Sequence, residues 1–198
     1  MRWATVRLCA AAVTLGVAAA PVKGAGLRSG LPDLSVLHDV AECLGHPPQH
    51  AVELYARGGW YVTDDLRREM RERQGDIEGI AMVWKLDNLP RAVYQWNHDD
   101  EFDRDVVACL APDGKVTRAR SRYTPGDSEP SQRWVYIHSM VARRDGTFTS
   151  SDRFTERDGQ PRSRPHLTAE DQDFIAGERV YHTWNDFDYA GQFGTQGR

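Results

Sequence analysis

The chain has 198 residues, 40% of them hydrophobic and 27% charged, with a formal net charge of −4. Those proportions are ordinary for one globular domain, and the acidic balance argues against nucleic acid as a partner, because binding a phosphate backbone demands a basic surface. Beyond the first two dozen residues no apolar run approaches the length of a membrane span, so no integral membrane segment is expected once the leader is removed.

Arg2 and Arg7 flank a short positive start, and residues 8–20 (LCAAAVTLGVAAA) form an apolar run followed by small residues. That is the layout of a secretory signal peptide over residues 1–24, with cleavage near Ala19 or Gly24; a retained anchor is the competing expectation. Losing Arg2, Arg7 and Lys23 takes the net charge from −4 to −7. The mature part, residues 25–198, is then a single exported domain, secreted or periplasmic. It keeps two of the three cysteines, Cys43 and Cys109, and an oxidising compartment predicts one disulfide between them. Two buried free thiols are the alternative.

A helix is predicted from Pro32-Asp33 to Leu44, since Leu34, Leu37, Val40, Ala41 and Leu44 recur at helical spacing and Gly45 ends it. Residues 51–63 suit a strand or a short helix, broken at Gly58-Gly59. Residues 64–74 start well as a helix, with Asp64 and Asp65 near its positive end; with only Leu66 and Met70 apolar, that helix is expected to be solvated. Strands follow at 77–86, 92–96, 104–110, 115–123, 133–143 and 147–156, with a turn at Asn88-Leu89-Pro90. Asp113-Gly114 and Asp145-Gly146 each sit between alternating segments, the strongest short-range hairpin signal; Asp158-Gly159 is a third such pair. Residues 162–165 look like a linker. Thr168 caps a last helix whose apolar stripe runs through Phe174, Ile175, Val180, Tyr181 and Trp184. The expected fold is α+β: a curved, half-barrel-like antiparallel meander of about five to seven strands, with helices at the N- and C-terminal ends.

Three groups of residues bear on chemistry. Asp99, Asp100, Glu101, Asp103 and Asp105 form an acidic run that resembles a calcium loop in charge but lacks its Gly and distal Glu. Arg118, Arg120 and Arg122 share one face of a strand. They read either as a stripe for carboxylate, sulfate or phosphate, or as a cross-strand ladder on the wet face, with Arg120 and Arg122 in reach of Asp103 and Asp105 across the Asp113-Gly114 hairpin. Trp84, Tyr94, Trp96, Trp134 and Tyr136 recur at alternate positions on separate strands. They are the candidate ligand-binding residues if their faces coincide, and sheet–helix core otherwise.

Histidines are scattered. Glu178, His182 and Asp186 share a helical face if the last helix continues, but no metal motif accompanies them. No nucleophile elbow, P-loop or dinucleotide fingerprint is present, so neither a catalytic residue nor a cofactor is assigned. The expected function is an exported binding or carrier protein holding an apolar or amphipathic ligand against the sheet. Alternatives are a module that binds a protein of the bacterial envelope through the charged 64–74 helix, and a hydrolase with a dispersed site around His98 or His182.

Overall fold

The computed structural model describes residues 34–73, 75–98, 102–125, 134–156, 159–177 and 180–193. The expected signal segment, Asp99, Asp100, Glu101, Glu178 and most of the loop after Thr124 lie outside them. Along the chain come α1 (Leu34–Leu44), β1 (Ala51–Ala56), β2 (Trp60–Thr63), α2 (Leu66–Glu72), β3 (Gly79–Leu86), β4 (Leu89–His98), β5 (Phe102–Leu110), β6 (Val116–Pro125), β7 (Trp134–Ala142), β8 (Phe148–Glu156), β9 (Pro161–Arg162) and α3 (Ala169–Ala176). The strands form one open antiparallel sheet in the order β2-β1-β3-β4-β5-β6-β7-β8-β9. Nine strands exceed the five to seven expected. The added ones come from 51–63, where Gly58-Gly59 is a hairpin loop rather than a break, and from the 161–162 linker, which pairs with β8.

One turn design recurs at the three Asp-Gly sites. A strand carbonyl accepts from the Gly N–H, and the same residue's N–H donates to the carbonyl one position past the Gly: Ala111 with Gly114 and Lys115, Arg143 with Gly146 and Thr147, Glu156 with Gly159 and Gln160. Each Gly has a positive φ, 80°, 83° and 87° in turn, which a side chain resists. Asp113 and Asp145 tighten their turns by accepting from the N–H two residues on. The β3–β4 turn differs from expectation. It is centred on Asp87 (φ 54°) and Asn88 (φ 64°), between paired Leu86 and Leu89, so Leu89 and Pro90 belong to the strand. Two successive positive φ values are the two-residue hairpin solution that Asp and Asn tolerate.

The two chain ends cover opposite faces of the sheet. On one, called here the helix face, Val36 and Val40 of α1 are fully buried against Ile80, Trp84, Tyr94, Trp96 and Val107. Helix α1 ends as foreseen at Gly45 (φ 73°), whose N–H reaches Ala41 O at 2.8 Å. Cys43 in its last turn is disulfide-bonded to Cys109 of β5, Cα to Cα 5.0 Å. Helix α2 is not the solvated helix its charge suggested: Leu66 is fully buried in the same cluster, and Glu69 is only 8% exposed. Arg73 (2.7 Å) and Arg68 (3.4 Å) satisfy that carboxylate and hold its pKa below the usual range.

On the opposite face Leu54, Val83, Val93, Val106 and Met140 pack under Tyr181, Phe187 and Tyr189. Beside them Tyr123, Trp134 and Tyr136 pack with Leu167, Phe174 and Ile175 of the α3 segment. Helix α3 has the expected capping box, with Thr168 Oγ1 accepting from the Asp171 N–H and Asp171 accepting from the Thr168 N–H. It stops at Gly177, however, and the aromatic stretch beyond it forms two short 3-10 turns, Trp184–Asp186 and Ala190–Phe193. Asp186 accepts from the N–H groups of His182 and Thr183, at 2.7 and 2.8 Å. The expected single helix with Glu178, His182 and Asp186 on one face is therefore not formed. Among the described residues, no helix is long and apolar enough to cross a membrane.

Candidate functional site

Alternation and register decide which side chains share the helix face. Across β5 and β6, Cys109 faces Arg118, Val107 faces Arg120 and Asp105 faces Arg122. Across β6 and β7, Arg122 faces Ile137 and Arg120 faces Ser139. The arginine row therefore lies on the helix face, at the border of the area that α1 covers.

Of the pairings expected for Arg120 and Arg122, one forms. Arg122 donates to Asp105 Oδ2 at 2.7 Å, as the hairpin register implied. Arg120 instead pairs with Asp39 of α1, and Arg118 with Glu42 of α1. Asp103 meets His98, directly opposite on β4, at 2.9 Å. The alternating pattern put the three arginines on one face, but it is the face that α1 partly covers rather than the wet face expected, because local spacing carries no information about a helix laid over them.

Two electrostatic consequences follow. Glu42 is held below the usual carboxylate range, chiefly by its hydrogen bond from Arg118. Asp39 is pushed the other way: burial raises its pKa more than Arg120 and Arg118 lower it. Its Oδ2 is buried and touches the Arg120 guanidinium as an ion pair without the alignment of a hydrogen bond.

Beyond α1, on the β6–β9 half of the helix face, lies a trough of about 560 Å³. Val135 and Ile137 supply its apolar part. Arg120, Arg122, Arg153 and Arg162 line it, against two acids, Asp152 and Glu156, and Ser35 of α1 borders it. Arg162 pairs with Glu156 at 3.2 Å. Arg153 is exposed and makes no ion pair or side-chain hydrogen bond among the described residues. The four guanidinium groups make a donor cluster in which Arg120, Arg122 and Arg162 already pair with Asp39, Asp105 and Glu156. It adjoins apolar wall, and both together suit a molecule with an anionic end and an apolar body.

The five aromatic residues expected to bind a ligand are placed elsewhere. Trp84, Tyr94 and Trp96 lie under α1 on the helix face, at 2%, 3% and 7% exposure; Trp134 and Tyr136 lie under α3 on the opposite face, at 1% and 5%. They form two separate clusters rather than one wall, and none lines the trough. Val135, Ile137 and Arg153 carry the trough and escaped notice in the sequence, although the Arg118–Arg120–Arg122 row marked the correct face.

Histidine chemistry is structural in its contacts. His98 stacks on Trp96, 6° between planes, while bonded to Asp103; His138 pairs with Asp152. Among the described residues neither is hydrogen-bonded to a serine, threonine or cysteine side chain, and no group of three or more His, Cys, Asp or Glu could hold a metal ion. The calcium reading of residues 99–105 lies largely outside the described residues.

The chain matches no family model, and no characterised protein or solved structure is significantly similar to it. The functional reading rests on the site's own chemistry.

Proposed function

We propose that this is an exported binding or carrier protein that holds an amphipathic ligand, anionic at one end, in the arginine-lined trough of the helix face. The observation that carries the reading is the pairing of Val135 and Ile137 with four arginines in one cavity of about 560 Å³. The volume falls within the range of small-molecule sites. Guanidinium groups held by neighbouring acids are pre-oriented for carboxylate, sulfate or phosphate oxygens, which they bind in bidentate fashion. The disulfide fits an oxidising compartment, and export to the bacterial envelope or the medium is the corresponding proposal for location.

The test is calorimetric titration of the mature, oxidised protein with hexyl sulfate and with hexanol. Hexyl sulfate binds, and hexanol binds at least tenfold more weakly. Arg153→Gln removes one exposed cation and weakens the sulfate about fivefold, or about 1 kcal/mol. Equal affinity for both probes, or binding of neither, overturns the reading.

A second reading has one observation in its favour. Edge strand β2 carries Tyr61 and Val62, 50% and 52% exposed, and the charged helix α2 follows it directly. An unpaired strand edge is a template for another chain. In this reading a protein of the envelope docks there, and reversing the charge of Arg67 and Arg71 abolishes its capture while leaving hexyl sulfate binding intact.

A further inference from the structure

We propose that Asp39 is a built-in competitor for the ligand's anionic head: the head replaces Asp39 on Arg120, and the displaced carboxylate takes up a proton from solvent. The inference rests on the trough being the ligand site and adds to it how the head group is admitted.

Three features of the geometry carry it. First, Arg120 borders two cavities. One is the trough; the other is a smaller space of about 160 Å³ that Asp39 also lines, whereas Asp39 does not line the trough. Arg120 thus borders both the space that Asp39 lines and the trough where an incoming acid would sit. Second, the Arg120–Asp39 contact is a single ion pair at the border of the trough, and an anion able to accept two guanidinium N–H bonds there competes with it. Third, Asp39 has little to fall back on. Its side chain is part-buried, 17% exposed, and a carboxylate in such a place that loses its nearest cation binds a proton more readily.

The surroundings of Asp39 support the same sign. On α1 it is flanked by His38 and Glu42, and β6 presents Arg118 and Arg120. Arg118 is engaged by Glu42, at the fringe of the site. From β5 come Val107 and the disulfide-bonded Cys109, and from β7 Ser139, Met140 and Val141, none of them ionised. When Arg120 turns to a ligand, Asp39 loses its nearest cation and keeps Glu42 as a like charge. Its carboxyl pKa, already raised by burial against Arg120's pull, rises further. Ligand affinity therefore increases as pH falls, by up to tenfold per pH unit while Asp39 of the complex is titrating.

Hexyl sulfate is the probe, because its charge does not change between pH 5 and 8. Titrations of the mature, oxidised protein in buffers of different ionisation heat report the protons taken up per probe bound. The expected result is net uptake, approaching one proton per probe at the acid end, with affinity rising from pH 8 to pH 5. Asp39→Asn binds more tightly than the unaltered protein at pH 8 and takes up no proton. His38→Gln, which removes the neighbouring imidazole, keeps the uptake. Binding with no proton uptake in the unaltered protein at any pH from 5 to 8 overturns this inference while leaving the trough as the site. Uptake lost in His38→Gln overturns it as well. Failure of hexyl sulfate to bind at any pH removes the trough reading itself.

Discussion

Breaking the Cys43–Cys109 bond is the perturbation whose size the structure defines best. The bond joins residues 66 apart in sequence. In the chain-entropy treatment, a cross-link closing a loop of that length stabilises the fold by about 4 kcal/mol, because the unfolded chain loses that much freedom. With a urea dependence of about 2 kcal/mol/M for a domain of this size, removing it lowers the unfolding midpoint by about 2 M. The comparison is the oxidised protein against Cys43→Ala/Cys109→Ala, followed by tryptophan fluorescence. The indoles of Trp84 and Trp96 belong to the same buried cluster as Val36 and Val40 of α1 and report a loss of its packing. Hydrogen exchange adds location. Helix α1 retains Val36 and Val40 in the core and its ion pairs to Arg118 and Arg120. Without the disulfide it therefore exchanges faster than β4 and β5 but is not permanently detached. A midpoint shift below about 0.5 M, about 1 kcal/mol on the same scale, refutes the loop-closure reasoning and means that the ion pairs and Val36–Val40 packing fix α1 without help.

Three further outcomes are expected. Gly146→Ala, at φ 83° in a turn with open space around it, costs about 1 kcal/mol of unfolding free energy from backbone strain alone; no loss in a melting experiment would mean that the turn relaxes. Thr168→Ala removes the hydroxyl of the α3 capping box and costs about 1 kcal/mol, and Thr168→Ser restores most of it. Glu42, Asp113, Asp145 and Asp186 all have folded-state pKa values below their ordinary ones. Their stabilisation is present above the unfolded values of 3.8 for Asp and 4.5 for Glu and is lost as pH falls through the lower folded ones. Asp39, with a raised value, works with the opposite sign, so Asp39→Asn gives a steeper acid loss than the unaltered protein; a shallower one contradicts the assignment.

What could be read from the chain was local. The three Asp-Gly turns, the α1 stripe ending at Gly45 and the Thr168 cap each depend on a few adjacent residues whose backbone preferences suffice. The cysteine pairing followed from there being two candidates once the leader is set aside. Asp87-Asn88 was overlooked because Pro90, a stronger turn residue on average, stood two positions away; positive φ at two successive residues decided the matter. The aromatic residues show where the method ends. Alternation says that Trp134 and Tyr136 share a face, and that Trp84 shares one with Met82. Which of the two faces each pair occupies depends on register carried across several turns, one of them outside the described residues. The arginine row met the same limit: its strand partner Asp105 was visible, but Asp39 and Glu42 reach it through a helix more than 60 residues upstream, as in the 76-residue separation of Arg118 and Glu42. The aromatic segment after Gly177 packs over the sheet without regular helix because tertiary burial, not local spacing, holds Tyr181, Phe187 and Tyr189.

The strand order has a consequence for how the molecule assembles. Every neighbouring pair in the sheet except β1–β3 is consecutive along the chain, so the sheet can grow hairpin by hairpin from short-range contacts, a quick process. Its two coverings are another matter: α1 arrives from one end of the chain and the 181–193 segment from the other, on opposite faces. A chain halted before its last 20 residues has its meander complete and the Leu54, Val83, Val93, Val106 and Met140 part of one apolar face bare. Such a species is prone to self-association, which makes the C-terminal aromatic segment the part whose arrival ends the exposed phase of folding.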